Sequence, residues 1–277
     1  MRWYAFRELI CVKKIFAVIL VFAFVACDKN DNFVVFSTEN DVQLGLQVKD
    51  EIAKDASIKI LPAAQYPEVY NFLYHIRDGI LNSGKVAYKD EFAWEVYVID
   101  DDKTLNAFAT PGGYIYVYTG LIKYLDNADD LAGVMGHEMA HADLRHTVRT
   151  LQKTYGVSVL LSVALGKDPG TLGQIAAQIA GQLAGLKFSR EYETEADEHS
   201  VDYLAQTEYA CNGAAHFFEK LTASEQAGQP PEFLSTHPNP ENRIENINAK
   251  AASLGCDTSL ATNTGYDAVK ASLNKSS

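Results

Sequence analysis

Cysteine, basic charge and long apolar runs are all scarce in this sequence. Four cysteines among 277 residues are too few for a disulfide scaffold, and none forms the CxxC pair of a zinc ribbon or redox site. Lysine and arginine number 24 against 36 aspartates and glutamates. This balance argues against a nucleic-acid partner, because phosphate binding needs a basic surface. The apolar run over residues 15–26 is too short to span a bilayer, which takes roughly 20 residues.

The N-terminus has the composition of an export signal. Four basic residues precede the apolar run: Arg2, Arg7, Lys13 and Lys14. A basic segment, a short apolar segment and a small residue before a cleavage point are typical of secretory signals. Cys27, which polar residues follow, resembles the lipidated cysteine of a bacterial lipoprotein. We expect a signal over residues 1–26 and a lipidated tether over residues 27–37. The protein would then lie in the periplasm of a bacterial cell envelope, where lipid would anchor it to the outer membrane. An ordinary cleaved signal or an uncleaved anchor is the alternative.

The pattern of apolar residues predicts both helices and strands. Helical spacing predicts helices that begin at Asn40 or Asp41, over residues 67–81, and at Asn127 or Asp129. Runs of aromatic and β-branched residues predict three short strands, at residues 94–99, 105–109 and 114–118. The remainder is expected to be mostly helical. We therefore predict an α+β fold with a small antiparallel sheet.

The apolar segment over residues 157–187 could suggest a membrane span. Lys167, Asp168, Pro169 and Gly170 divide it into pieces that are shorter than a span. Buried helices or a helical hairpin are therefore expected. A surface that dips into lipid or grips an apolar substrate is the alternative.

Residues 137–141 read His-Glu-Met-Ala-His, an HExxH motif. On a helix, residues four apart share a face and lie about one turn, roughly 6 Å, from each other. His137 and His141 can therefore bind one Zn²⁺, while Glu138 can take a proton from water beside it. The helix is otherwise apolar, and such polar side chains are costly to bury without a partner. The motif predicts one zinc ion per chain.

A catalytic zinc needs a third protein ligand, and residues 189–199 are rich in acids. By spacing alone, Glu191, Glu193 and Glu195 all compete. An HExxH helix followed by an E-x-E-A-D segment resembles the zinc peptidases of family M48. The resemblance implies that Glu193 is the third ligand and that Asp197 accepts the distal N–H of a ligand imidazole. Glu195 points roughly 200° around the helix from Glu193, so we expect it to contribute little.

A second segment resembles the same family. Residues 106–115 match its N-A-F-x-x-P-G-G element, which precedes a strand beside the zinc. An exposed strand edge can bind an extended peptide through main-chain hydrogen bonds. The resemblance implies substrate contacts from six residues: Asn106, Ala107, Phe108, Gly112, Gly113 and Tyr114. An ordinary hairpin is the alternative.

A third segment, residues 235–244, resembles the family's S-T-H-P-x-x-x-x-R-I element. The resemblance implies catalytic roles for His237, which could approach the metal or stabilise an oxyanion, and for Arg243, which could brace the site. A structural histidine in a proline-rich loop is the alternative. The other histidines receive no role: His75, His146, His199 and His216.

Cys211 and Cys256 are the thiols that remain after Cys27 in a chain predicted to be exported. Disulfides persist outside the cytosol, so we expect these two cysteines to pair. Two buried free thiols are the alternative.

The motifs together predict a mostly helical, zincin-like metallopeptidase domain over residues 38–255, with a C-terminal tail over residues 256–277. The predicted activity is zinc-dependent endopeptidase hydrolysis. The resemblance implies unfolded or misfolded envelope proteins as substrates, hence quality control. A chaperone-like factor that assists outer-membrane protein assembly is one alternative, and a lipoprotein with structural zinc is another. No nucleic-acid partner is expected, and the oligomeric state is left open.

Overall fold

The computed structural model describes residues 28–30, 32–181, 187–226, 233–238, 242–261 and 265–274. The predicted signal and Cys27 lie outside these residues. The helices are α1 (Thr38–Lys54), α2 (Pro67–Asn82), α3 (Thr119–Tyr124), α4 (Ala128–Asp143), α5 (His146–Tyr155), α6 (Val157–Ala164), α7 (Pro169–Gly181), α8 (Arg190–Leu204), α9 (Gly213–Gln226), α10 (Phe233–Thr236), α11 (Arg243–Leu254) and α12 (Tyr266–Asn274). The strands are β1 (Glu95–Ile99), β2 (Ala107–Thr110) and β3 (Tyr114–Tyr118). The predicted α+β class is confirmed.

The sheet is mixed, so the prediction of an antiparallel sheet is wrong for one of its two strand pairs. The strand order is β1-β3-β2. β2 and β3 form an antiparallel hairpin, whereas β1 pairs with β3 in parallel, with Glu95 opposite Tyr114. The chain crosses from β1 to the far side of β3 before it turns back, and this crossover makes β1 and β3 run in the same direction. β2 is therefore an edge strand, and β3 is central and buried along its whole length.

Alternation along β3 divides the interior into two apolar clusters. Ile115 and Val117 face a cluster built with α2, α4, α8 and α9. Tyr114, Tyr116 and Tyr118 face a second cluster built with α1, α5, α6 and α7. Successive side chains of a strand point to opposite faces, so the sheet separates the HExxH helix from α1.

The caps of α1 and α4 show how local sequence starts these helices. Asn127 Oδ1 accepts a hydrogen bond from the Asp130 N–H, which confirms Asn127 as the N-cap residue of α4. For α1 the prediction of Asn40 or Asp41 is wrong. Ser37 caps this helix, and the Asn40 side-chain oxygen accepts a hydrogen bond from the Ser37 N–H, which completes a capping box.

Helix α4 is buried over its entire length. It packs between α8 and α9, and Gly133 lets it approach α9 closely. A Cβ atom at Gly133 would lie 2.1 Å from the Ala214 nitrogen, which no side chain can tolerate. α4 is therefore a fixed platform for the residues that it carries.

The two segments predicted as tether and tail both pack on the domain. Asn30 Nδ2 donates to the Asp143 carbonyl at 3.0 Å, and Phe36 is buried. At the other end, α12 packs against α2, and the Tyr266 hydroxyl donates to the Ile122 carbonyl at 2.6 Å. Apolar side chains in these segments, such as Phe36 and Leu273, explain why their described parts are folded against the domain.

The segment after α5 forms two short helices, α6 and α7, as the predicted hairpin requires. α7 packs against α1, and α6 contacts α5 and α7. Over the residues described, none of the helices combines the length and apolarity needed to cross a bilayer.

Cys211 and Cys256 form a disulfide bond, with Sγ atoms 2.01 Å apart. It ties the start of the α9 region to the chain just after α11. The Cys211 N–H also donates to the Asp257 carbonyl at 2.8 Å, so two contacts hold these segments together.

Candidate metal centre

His137 and His141 lie on one face of α4, and both imidazoles are buried. Their Nε2 atoms are 3.0 Å apart. The four-residue spacing of the HExxH motif places the rings one helical turn from each other, as predicted. Both rings thus present a nitrogen to the same small volume.

Two residues from other elements complete the cluster. Glu193 on α8 places its carboxylate 3.4 Å from His137 Nε2 and 3.5 Å from His141 Nε2. His237 follows α10, and its Nδ1 lies 3.1 Å from Glu193 Oε1 and 3.3 Å from His137 Nε2. The four possible ligand atoms lie within 4.8 Å of one another.

This group of side chains fits a zinc ion. Three imidazoles and one carboxylate are a donor set that zinc prefers, and all four residues are buried. Burial opposes a charge on His137, but its hydrogen bonds to Asp197 and Glu193 outweigh burial and raise its pKa to about 9. Burial also opposes charge on Glu193, yet neighbouring His237 and His137 hold the pKa of this carboxyl well below its ordinary value. The surroundings therefore favour a cation at the centre of the cluster.

Asp197 and Arg243 form hydrogen bonds that hold the His137 and Glu193 side chains in position. Asp197 Oδ1 lies 2.9 Å from His137 Nδ1, which directs Nε2 of that ring to the centre. Arg243 donates to both oxygens of Asp197 at 2.7 Å and to Glu193 at 3.1 Å. Its guanidinium also lies 3.6 Å from the ring centroid of Phe218. These contacts make Arg243 a positioning residue that braces the two carboxylates.

The Glu138 carboxylate lies beside the cluster. The residue is buried, and within the part of the chain that the structure describes its Oε1 has no hydrogen-bond partner. His237 Nε2 lies 3.5 Å from this oxygen. Burial raises the pKa of Glu138, which suits a carboxyl that accepts a proton and gives it up again.

A second hydrogen-bonded chain, which the sequence did not reveal, orients His141. His141 Nδ1 lies 2.8 Å from His146 Nδ1, and His146 Nε2 lies 3.0 Å from Glu195 Oε2. Burial lowers the pKa of His146 to about 4, so this ring is neutral and has one N–H. Because the Glu195 carboxylate accepts that N–H, His146 Nδ1 accepts from the Nδ1–H of His141. The Nε2 lone pair of His141 is then directed to the cluster, as a metal ligand requires.

Glu195 therefore does contribute, contrary to the expectation from its helical position. Arg149 donates to Glu195 Oε2 at 2.7 Å. His146 stacks on Tyr192, with ring centroids 4.4 Å apart, so the ring is held on its face as well as at its edges. No sequence motif identifies His146, because the fold of the chain brings it to His141. Arg145 adopts a left-handed backbone with φ of 58°, and this turn between α4 and α5 returns His146 to His141.

The residues predicted to bind substrate fall into two groups. β2 packs against α4, and Asn106 and Ala107 are buried at its start. The Phe108 side chain points to the other face of the sheet, where it stacks on Tyr116 in the cluster that contains α1. The Phe233 N–H donates to the Leu105 carbonyl at 3.2 Å, and Phe233 stacks on His237. These contacts link the start of β2 to the cluster.

Gly112, Gly113 and Tyr114 lie at the hairpin turn and the start of β3, where the structure shows packing contacts; their predicted contacts with substrate stay a prediction. Gly112 has φ of 77°, and a Cβ atom there would lie 2.8 Å from the Val42 Cα atom of α1. Tyr114 is buried in the cluster that contains α1. These residues form the hairpin turn and pack it against α1 and neighbouring aromatic residues.

We expect removal of the His146 imidazole to weaken zinc binding. His146→Ala should lower the zinc affinity of the protein about 10- to 100-fold, because partners that orient a metal ligand have effects of this size. Glu195→Gln should act in the same direction and less strongly, since an amide oxygen can still accept the His146 N–H. Zinc titration against a competing chelator measures both. Glu191→Gln, which changes an exposed glutamate on α8, is the control. Unchanged affinity in His146→Ala would show that His146 does not orient His141.

The HExxH helix and the carboxylate supplied by α8 define a zinc metallopeptidase by class. The sequence model of Peptidase family M48 matches residues 76–251. The chain belongs to this family, which the sequence motifs predicted.

Relatives from different organisms share this similarity. The mitochondrial metalloendopeptidase OMA1 of Schizosaccharomyces pombe is 30% identical over 212 residues, or 75% of this chain and 62% of the relative. A putative beta-barrel assembly-enhancing protease of Vibrio cholerae is 33% identical over 161 residues, or 54% of this chain and 33% of the relative. The metalloprotease YcaL of Escherichia coli is 30% identical over 167 residues, or 58% of this chain and 62% of the relative. The chain thus matches between 33% and 62% of the length of these relatives.

Proposed function

We propose that the protein is a zinc endopeptidase that hydrolyses extended segments of unfolded or misfolded cell-envelope proteins. The observation that carries this proposal is the buried cluster of His137, His141, Glu193 and His237 beside the unused oxygen of Glu138. A purely structural zinc site would need no such free carboxylate.

His137, His141 and Glu193 would hold the zinc ion. When bound, zinc supplies Lewis-acid polarisation of a peptide carbonyl and makes water more acidic. Asp197 and His146 keep the two imidazoles in the required orientation through their hydrogen bonds to the Nδ1 atoms. Arg243 keeps the Glu193 and Asp197 carboxylates in place.

Glu138 is the general base in this proposal. Its unpaired Oε1 accepts a proton from the attacking water and then delivers it to the nitrogen of the departing amine. His237 has Nε2 near the same oxygen, where its N–H can donate to the oxygen of the attacked carbonyl as negative charge develops.

The edge strand β2 would align the substrate. β2 uses one edge to pair with β3, and an extended peptide can add to a strand edge through main-chain hydrogen bonds. Such binding selects chain conformation more than side-chain identity. It therefore favours unfolded segments, which supports a role in quality control.

The test compares one polypeptide in two states. A small disulfide-bonded protein should resist cleavage when native and should be cut at several positions once reduced and alkylated. Mass spectrometry of the products measures both outcomes. Equal cleavage of the two forms would contradict a selection for extended chains.

Assistance to outer-membrane protein assembly is the second candidate, favoured by the similarity to the putative beta-barrel assembly-enhancing protease of Vibrio cholerae. In that case an unfolded outer-membrane protein should bind to this protein and keep its full mass. The Glu138→Gln variant should then assist assembly as well as the original protein does. Cleavage of the bound chain would reject this candidate.

We further propose that residues 1–26 direct export, that Cys27 carries lipid, and that the peptidase domain over residues 38–255 is held at the outer membrane. Cys27→Ala should move the protein from the membrane fraction to the soluble fraction or stop its processing, because the lipid would be the principal anchor. Fractionation and the mass of the mature N-terminus measure this. A mature N-terminus at Cys27 without the added mass of lipid would contradict the lipid anchor.

A further inference from the structure

Helix α6 carries a row of apolar side chains on its outer face. Val157 and Leu161 are each 44% exposed and Leu165, at the end of the helix, is 59% exposed. They recur every four residues and so form one stripe along the helix. Leu160 and Val163, on the other side of α6, are buried in the domain. We call Val157, Leu161 and Leu165 the apolar stripe. Leu160 and Val163 hold α6 against the core, and Val159 adds a further exposed apolar side chain, 37% exposed.

The apolar stripe lies in a basic part of an acidic chain. The chain has a net charge of −12, yet residues 144–190 contain six basic residues and a single acidic one, Asp168. Two of the six are ion-paired with acids from elsewhere, Arg145 with Asp41 and Arg149 with Glu195. The exposed Lys153 and Lys167 lie just before and just after α6. Asp168 is engaged by the N–H and hydroxyl of Thr171. Apolar side chains with lysines at both ends match a helix that lies in the interface of an anionic bilayer.

The N-terminal segment is attached to the same side of the molecule. The Phe33 carbonyl accepts a hydrogen bond from Gln152 of α5 at 3.0 Å, and the Phe33 side chain is 51% exposed. Lys29, only two residues after Cys27, donates its N–H to the Tyr88 hydroxyl at 2.9 Å. The described segment that follows residue 27 thus contacts α5, the helix that precedes α6.

We propose that the apolar stripe docks on the surface of an anionic lipid bilayer. Val157, Leu161 and Leu165 would enter the boundary between headgroups and acyl chains, while Lys153 and Lys167 would meet lipid phosphates. This contact fixes which side of the domain faces the membrane. It depends neither on the zinc site nor on the proposed lipid at Cys27, although a lipid there would bring the stripe to the surface.

Tryptophan placed in the stripe tests this contact. Leu161→Trp is compared with Leu254→Trp, a similarly exposed leucine on α11, in the full chain. The vesicles contain phosphatidylglycerol and phosphatidylcholine with brominated acyl chains. The emission of Leu161→Trp should shift to the blue and be quenched, and that of Leu254→Trp should not. Trp3 and Trp94 give the same background in both proteins.

Charge provides the second readout. Lys153→Gln combined with Lys167→Gln should lower partition into these vesicles roughly 30-fold, since each lysine near an anionic surface contributes about a factor of five. Vesicles of phosphatidylcholine alone should bind more weakly. The contrast between Leu161→Trp and Leu254→Trp should persist in Cys27→Ala, which separates the stripe from the lipid anchor.

Two results would overturn the proposal. Equal quenching of the two tryptophan variants, or of neither, would show that α6 does not contact the bilayer. Quenching absent from Leu161→Trp together with a concentration-dependent doubling of mass in light scattering would assign the stripe to a second copy of this chain.

Discussion

Replacing Glu138 with glutamine should leave the zinc content unchanged and lower peptide hydrolysis by about two to four orders of magnitude. Positioned general bases contribute rate factors of this size. Glutamine keeps the shape of the side chain but cannot accept a proton from water. The Glu138 carboxylate is not among the four clustered groups, so metal binding should persist. Initial rates on a quenched-fluorescence peptide and zinc by atomic absorption measure the two properties on one sample.

The control for this change is Glu191→Gln, which alters an exposed glutamate on α8 and should retain full activity. Hydrolysis at the original rate by Glu138→Gln would remove the general base from the mechanism. Loss of zinc from the same variant would instead show that Glu138 is a ligand.

Replacing Glu193 with glutamine should reduce zinc affinity more than any other single carboxylate change in the protein. Glu193 is the only acid in the buried four-residue cluster, so its amide form removes both a ligand and the negative charge beside the ion. Asp197→Asn should lower affinity about 10- to 100-fold, because Asp197 acts through the His137 ring. Zinc titration of both variants, with Glu191→Gln as the control, ranks the three positions.

The opposite ranking would contradict the ligand assignment. If Asp197→Asn loses zinc while Glu193→Gln retains it, then Asp197 is the ligand and Glu193 the supporting acid. The unfolding temperature of each zinc-free variant should be compared as well, because Arg243 binds both carboxylates and either change leaves part of a buried charge unpaired.

Local rules predicted the parts of the site that depend on one helix. The spacing of His137 and His141 places both rings on one face of α4, and Asn127 starts that helix as a cap. The choice of Glu193 over Glu191 and Glu195 came from the family resemblance, because spacing within α8 cannot say which face meets α4. The structure brings Glu193 to the two histidines.

Contacts between distant elements could not be predicted in this way. The parallel pairing of β1 with β3 depends on the crossover of the chain, which leaves no trace in the strand pattern. His146 joins the site because Arg145 takes a left-handed conformation, and the guanidinium of Arg145 is held by Asp41 of α1. An acid that is 104 residues away thus helps to set the turn that follows the HExxH helix.

The glycines of the hairpin have a structural reason that the motif alone did not reveal. Gly112 and Gly113 adopt positive φ angles and lie where any side chain would meet α1 or Trp94. Glycine is required there by backbone geometry and close packing. β2 is the strand that packs against the HExxH helix, and its main chain is the part of this segment that we propose aligns the substrate.

Digestion of unfolded casein by the purified protein, with and without a zinc chelator, tests whether this chain is a zinc peptidase. We predict fragmentation of casein, loss of that activity in chelator, and recovery when zinc is added back at one equivalent per chain. His137→Ala should stay inactive after the same zinc addition. Undiminished digestion in excess chelator, or digestion by zinc-treated His137→Ala at the original rate, would contradict the account of this protein as a zinc peptidase.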